Sequence, residues 1–213
     1  MTIKKKYLLE MTNSGYSMDA ISDFHRLSLP YLGEKYFPSK DSRIMDIGAG
    51  WGHCLLPLKA AGYKNLTAVD CDPSACERLK QEGITFFNID IETGRLPLQD
   101  STIDGIISFY MIEHLKDTTN LLNECFRLLK KGGYCLMVTA DWRKQYKTFW
   151  RDHTHVQPYD KESIARLFRC FEFDIIWVRS FGCMRGIGRS GLWKIWPSLM
   201  FTGSNLIIAA KKP

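Results

Sequence analysis

The 213-residue chain has no apolar run near the ~20 residues that a bilayer-spanning helix needs; Leu206 to Ala210 is typical of its short runs. Paired cysteines are also missing. Seven stand at positions 54, 71, 76, 125, 135, 170 and 183, an odd number with no C-x-x-C spacing. That spacing gives a zinc site no support and suits free thiols in a reducing, cytoplasmic compartment. The first ten residues hold three lysines with no apolar stretch behind them, so a secretory signal is not expected. Carboxylates are absent from the last part of the chain. After Asp174 come Arg179, Arg185, Arg189, Lys194, Lys211 and Lys212, which carry the whole net charge of +6. Such asymmetry suits an anionic partner.

What is present is an ordinary globular composition, 45% apolar and 24% charged, enough for one domain with a full core. From about residue 40, short apolar runs alternate with helical periodicity. Strands are expected at 43–47, 66–70, 84–88, 104–109, 134–139, 173–178 and 206–210. Helices are expected at 52–61, 73–81, 118–129 and 161–171, the third stopped by Lys131-Gly132-Gly133. Strands alternating with helices imply an α/β fold with a mostly parallel sheet covered on both faces. The connection between the last two strands is long and carries four glycines before Trp193. It does not read as a helical crossover, and an antiparallel closing strand fits it better. Residues 1–40 include Tyr16, Phe24, His25, Tyr31, Tyr36 and Phe37. They read as a helical cap of the same domain, one or two helices over the ligand side.

The strongest local signal is Asp46-Ile47-Gly48-Ala49-Gly50-Trp51-Gly52, between a strand and a helix. Glycines there permit a tight turn and a close backbone approach to a ligand. A dinucleotide fingerprint, G-x-G-x-x-G, needs glycine at position 53. His53 stands there, and the third glycine is Gly52. Asp46, two positions before Gly48, can attract an ammonium group. Asp70 ends the second strand, where a carboxylate meets ribose hydroxyls in doubly wound sheets. Asp90 follows the third strand and can accept from an adenine amino group. A purely structural reading also exists: the glycines serve only the turn and Asp70 caps the next helix.

The segments IMDIGAGWG (44–52), LTAVDCDP (66–73), FFNIDIE (86–92), LPLQDSTIDGIISFYMIEHLKD (96–117) and LLNECFRLLKKGGYCLMVT (121–139) resemble, in order and spacing, the class I S-adenosylmethionine-dependent methyltransferases. The resemblance implies a Rossmann-like seven-stranded sheet, last strand antiparallel, over residues 41–213, and S-adenosyl-L-methionine as cofactor. It implies that Asp46, Gly48, Ala49, Gly50, Trp51 and Gly52 hold the methionine part and Asp70 the ribose. Cys71 would flank the adenine, with Asp90 and Ile91 at its edge. Phe109, Tyr110 and Met111 would line the pocket near the reacting methyl group.

Thr148 to Tyr159, TFWRDHTHVQPY, is similar to a D-x-T-H-V-x-x-(F/Y) pattern in small methyltransferases of bacterial polysaccharide biosynthesis. That resemblance implies a saccharide or glycan acceptor. His153 and His155 could take a hydroxyl proton; His155 could equally hold the loop through a backbone hydrogen bond. His114 is a further catalytic candidate, and Glu113 beside it reads as a carboxylate at a helix N-terminus. Asp141, Asp152, His153 and His155 can be drawn as a metal set, but two histidines suit magnesium poorly and the spacing is not diagnostic; no metal is expected. Residues 179–201 mix arginine and lysine with Trp193 and Trp196. They suit a membrane surface on the inner face or a lipid-linked substrate, single-stranded nucleic acid, or plain packing on the sheet. Nucleic acid is disfavoured: no RNA-binding module accompanies the domain, and Ser108-Phe-Tyr-Met stands where an N/D-P-P-Y/F tetrapeptide would serve base methylation. Two rival readings are a noncatalytic S-adenosylmethionine-binding interaction module and an NAD-dependent oxidoreductase, the latter opposed by His53.

Overall fold

The computed structural model describes residues 21–183 and 191–213. The expected helical cover over residues 1–20, with Tyr16, and the cations Arg185 and Arg189 lie outside the described residues.

Seven strands form one sheet: β1 (Arg43–Ile47), β2 (Asn65–Asp70), β3 (Thr85–Asn88), β4 (Ile103–Phe109), β5 (Leu129–Ala140), β6 (Asp174–Phe181) and β7 (Asn205–Lys211). Their order is β3-β2-β1-β4-β5-β7-β6. The pairs from β3 through β5 are parallel. β7 runs antiparallel to both β5 and β6. This is the expected Rossmann-like sheet with an antiparallel last strand. Strand order reverses between β1 and β4, and ligands bind such sheets at the carboxyl ends of the strands beside that switch point.

Side chains along the strands alternate between two apolar layers, as a pleat of period two requires. Ile44, Ile107, Leu136 and Ile207 join one layer; Met45, Ile106, Met137 and Ile208 join the other. On the first face, α1 (Asp23–Tyr36) and α2 (Leu55–Ala60) bury Leu29, Leu32, Leu55 and Leu58, and α3 (Cys76–Gln81) adds Leu79. On the second, α4 (Thr119–Leu128) buries Leu121, Leu122, Cys125 and Leu128. A later helix, Lys161–Cys170, adds Ile164 and Phe168 there. Each of the large aliphatic side chains contributes about 1.5–3 kcal/mol on burial.

Several boundaries differ from the sequence expectation. The helix after the glycine loop begins at Leu55 rather than at 52, because residues 51–54 form tight turns first. β5 begins at Leu129, directly after α4, instead of at 134. Leu129 is fully buried and pairs with Ile103, so the strand starts at once; Gly132, at φ +80°, sits inside it. A short helix α5 (Trp142–Gln145) and a 3-10 turn (Phe149–Arg151), both unexpected from sequence, carry the chain to α6 (Lys161–Cys170). The expected cap is, over its described part, α1 laid along the sheet. Its first turn reaches the strand carboxyl ends, where Phe24 meets Phe181 at 5.0 Å between ring centroids. Its far end sits over the start of β4, where Phe37 leaves no room for a Cβ at Gly105. Burial of Leu29, Leu32 and Phe37 on the sheet fixes that course. No helix of the described residues is long and apolar enough to cross a membrane.

Candidate active site

β1 delivers the chain into the glycine loop. Gly48, Gly50 and Gly52 have φ of +79°, +48° and +82°. At Gly48 a second constraint operates, since a Cβ would overlap the Met111 side chain. The loop amides are pinned to β2: Gly48 N and Ala49 N donate to Val69 O at 2.8 and 3.1 Å, and Gly50 N donates to Asp70 Oδ2 at 2.8 Å. Beneath the loop, Asp46 is 1% exposed. Neither of its carboxylate oxygens has a hydrogen-bond partner, and Trp51 Nε1 is a second buried, unpartnered polar atom. Burial pushes the Asp46 carboxyl well above the ordinary range, with Asp70 adding to the effect. An unpaired buried carboxylate is costly. A ligand ammonium group is the chemistry that would satisfy it.

Asp70 accepts from Gly50 N through Oδ2 and from Asp72 N through Oδ1. Its pKa is raised by burial, against the lowering effect of those amides. The helix-capping role open to Asp70 in the sequence falls instead to Asp72, whose Oδ1 accepts from Ser74 N at 2.8 Å. Asp70 thus braces the loop and stands at the carboxyl end of β2. Cys71, half-buried, follows it. Asp90 closes a tight turn by accepting from Glu92 N, and Ile91 is buried beside it. Asn120 Nδ2 donates to Ile91 O and Gly94 O at 2.8 Å, fixing this segment from α4. At the end of β4, Phe109 is buried, and Tyr110 adopts φ +57°, a costly conformation for a non-glycine residue. Asn205 Nδ2 donates to the Tyr110 hydroxyl at 2.9 Å. The residues expected to hold a cofactor therefore gather at the carboxyl ends of β1, β2, β3 and β4.

His25, known from the sequence only as one aromatic residue of the cap, reaches this end. Its ring lies 6.2 Å from Phe109. Burial and the neighbouring His53 push its pKa down to about 4, so it is neutral at physiological pH. Nothing in the sequence distinguishes it, because its place depends on how α1 docks.

The histidine loop meets the segment after β4. Val156 N and Gln157 N both donate to Glu113 O, at 2.8 and 3.1 Å. Glu113 is 1% exposed, and Thr139 Oγ1 donates to its Oε2 at 3.0 Å. Burial pushes its pKa up to about 7. It lies in a one-turn 3-10 segment, Ile112–His114, so its burial, not a helix N-terminus, sets its character. The His114 and His155 rings are 4.8 Å apart. His155 Nδ1 donates to Phe149 O at 2.7 Å, the loop-holding bond that the sequence left open. Thr154 Oγ1 donates to Asp152 Oδ1 at 2.6 Å and so accepts from His114 Nδ1 at 2.8 Å. His153 is exposed and outside this cluster. Asp141 caps α5, accepting from Arg143 N. The set Asp141, Asp152, His153 and His155 is therefore not what the fold assembles; Glu113, His114 and His155 converge instead.

In the basic stretch, Trp193 and Met200 are buried, and Arg179 lies 5.1 Å from the Trp177 ring. Lys194 pairs with Asp23 at 3.0 Å. Leu192, Ile195 and Trp196 are exposed, the last two by 72% and 60%.

Comparison with known proteins agrees with this geometry. A family model described as a methyltransferase domain matches residues 19–178. A probable S-adenosylmethionine-dependent methyltransferase of Mycolicibacterium smegmatis is 30% identical over 101 residues, 46% of this chain and 38% of the relative. A chloroplastic 2-methyl-6-phytyl-1,4-hydroquinone methyltransferase of Oryza sativa subsp. japonica is 28% identical over 166 residues, 72% of this chain and 46% of the relative. The chain thus spans less than half the length of these curated relatives. The crystal structure of a SAM-dependent methyltransferase from Archaeoglobus fulgidus superposes with a TM-score of 0.69 at 20% identity, covering 97% of this chain and 99% of that one. Matched over most of its length by that family model, the chain belongs to the methyltransferase-domain family.

Proposed function

We propose that the protein transfers a methyl group from S-adenosylmethionine to an oxygen or nitrogen of a small acceptor, and that the acceptor is a saccharide or glycan intermediate. The observation that carries the first part is the buried, unpartnered Asp46 carboxylate under a glycine loop tied to Asp70. The cofactor supplies a methyl group on a positively charged sulfur, already reactive toward a nucleophile. Asp46 binds the ammonium of the methionine part, and the backbone of Gly48, Ala49, Gly50, Trp51 and Gly52 lies along it. Asp70 has lone pairs left for the ribose hydroxyls. Cys71, Asp90 and Ile91 enclose the adenine, and Phe109 and Tyr110 wall the reacting end. Orientation supplies most of the acceleration in such a transfer. The proton of a hydroxyl acceptor leaves toward the Glu113–His114–His155 cluster or to His153.

The saccharide reading rests on the Thr148–Tyr159 pattern and on exposed aromatic faces at Tyr146 and Trp150, both more than half exposed, which suit the apolar face of a sugar ring. A lipid-linked acceptor would also use exposed Leu192, Ile195 and Trp196. A second reading, a hydrophobic phenol, is favoured by the hydroquinone named for the rice relative.

Calorimetric titration with S-adenosylmethionine, its demethylated product and NAD tests the cofactor site. Micromolar binding of the first two without NAD is expected; failure of both sulfur ligands to bind refutes the reading. Transfer of labelled methyl to nucleotide-sugars or lipid-linked saccharides, and not to quinols, is the expected acceptor result. The reverse selects the phenol, and transfer to neither class refutes both acceptor readings.

A further inference from the structure

We propose that Glu113, His114 and His155 form a binding site for a transition-metal dication of the Zn2+ type. The site goes beyond methyl transfer, and its binding of a cation does not depend on the cofactor.

Three observations converge on it. First, one ligand-type atom from each of the three residues lies within 4.8 Å of the other two, although the residues come from the segment after β4 and from the histidine loop. Ligand atoms about 2.0–2.1 Å from a tetrahedral zinc stand roughly 3.4 Å apart. The widest of these separations must therefore contract by up to about 1.4 Å, which side-chain rotations would supply.

Second, the imidazoles are held as metal-ligating histidines usually are, through Nδ1 to an oxygen acceptor. His155 Nδ1 donates to Phe149 O at 2.7 Å, which leaves the Nε2 lone pair as its coordinating atom. His114 Nδ1 donates to Thr154 Oγ1, itself bonded to the Asp152 carboxylate at 2.6 Å. That chain fixes the tautomer and the ring orientation. Asp152 Oδ2 also stands 3.9 Å from His155 Nε2, close enough to supply a further oxygen.

Third, Glu113 is 1% exposed, and no lysine or arginine pairs with it among the described residues. A buried carboxylate without a counter-cation is one a dication would stabilise. Two imidazoles and one carboxylate suit zinc or a neighbouring transition metal, and fit magnesium poorly. An ion here would keep open positions and could bind an acceptor hydroxyl, lowering its pKa.

The test uses the full-length untagged protein, stripped with chelator, dialysed and titrated with Zn2+ by calorimetry and with Co2+ by visible absorption, without cofactor. One ion per chain at micromolar affinity or tighter is expected, with Co2+ bands of low-symmetry coordination. Glu113→Gln and His155→Gln should each weaken binding at least tenfold with unchanged circular dichroism, whereas His153→Gln should bind as the parent does. If either variant unfolds, the wild-type protein decides: Co2+ must shift the His114 and His155 imidazole resonances more than those of His25, His53 and His153. Absence of stoichiometric binding, unchanged affinity in folded His155→Gln, or larger shifts at the other histidines overturns the proposal. Because cofactor titration is a separate measurement, failure here leaves the methyl-transfer reading standing.

Discussion

Replacing Asp46 with asparagine should make the apoprotein more stable and the cofactor bind worse. The carboxylate is 1% exposed and both oxygens lack partners, so above its raised pKa the apoprotein carries an uncompensated buried charge. An unsatisfied buried polar group costs about 1–3 kcal/mol, more when charged. Asparagine keeps the shape and removes the charge; a gain of about 1–2 kcal/mol follows, or a few degrees in Tm for a chain of this size. Truncating one member of a buried charge pair costs about 2–5 kcal/mol in affinity. Cofactor binding should therefore weaken from about thirtyfold to several thousandfold. The pH dependence has a definite sign. The Asp46 pKa is raised by burial and then by Asp70. Between the ordinary carboxylate value and the raised one, the folded state binds more protons than the unfolded state. Apoprotein stability therefore falls as pH rises through that window. Cofactor affinity falls as pH drops through the raised value, because the neutral carboxyl no longer attracts an ammonium. The variant should lose both dependences. Differential scanning fluorimetry and calorimetry from pH 5 to 9 measure them. A variant that binds the cofactor within threefold of the parent, or melts several degrees lower, would refute the reasoning.

Gly48→Ala should cost about 2–5 kcal/mol in denaturant unfolding, since φ of +79° is unfavourable for alanine and the new methyl meets Met111; a loss under 1 kcal/mol would show that the loop relaxes freely. Arg127 holds Glu124 through two hydrogen bonds of 2.7 and 2.8 Å and clamps the 96–100 segment through Leu96 O, Leu98 O and Asp100. Arg127→Ala leaves Glu124 buried without its partner, and a loss of about 3–5 kcal/mol is expected in the same assay; a loss below 1 kcal/mol would contradict it. Asp160 caps α6 by accepting from Glu162 N and Ser163 N, and Asp160→Ala should cost about 0.5–2 kcal/mol. The amide of Ser163, then Arg143, holds its pKa down to about 2. Its contribution is thus complete above the ordinary carboxylate range and lost as pH falls toward about 2. The stability gap between parent and variant should close over that acidic interval, and a gap that persists at pH 2 counts against the cap as its source.

The mostly parallel sheet and the glycine loop after β1 were legible in the sequence because they rest on local, periodic signals. Apolar runs of strand length gave β1, β2 and β4, and the glycine spacing with Asp46 and Asp70 marked the loop between strand and helix. Leu129 shows the limit. Its helical periodicity continues that of α4, yet pairing with Ile103 draws it into β5. Pairing across the sheet outweighs a local propensity worth a few tenths of a kcal/mol. The capping role open to Asp70 fell to Asp72, since only the turn geometry says which carboxylate meets Ser74 N.

The acceptor side was barely legible. His153 and His155 look equivalent in sequence, but one is exposed while the other is locked to Phe149 O. Glu113 and His114 lie about 40 residues upstream of the histidine loop, and only the folded chain, through Glu113 O, joins the two. His25 reaches Phe109 because α1 lies along the sheet rather than across its end. The sequence by itself determined the fold class and the glycine and aspartate positions at the strand ends, because backbone conformation and strand-end position are written in short spacings. Tertiary structure alone decided which titratable side chains meet and which are buried, because those depend on packing between segments far apart in the chain.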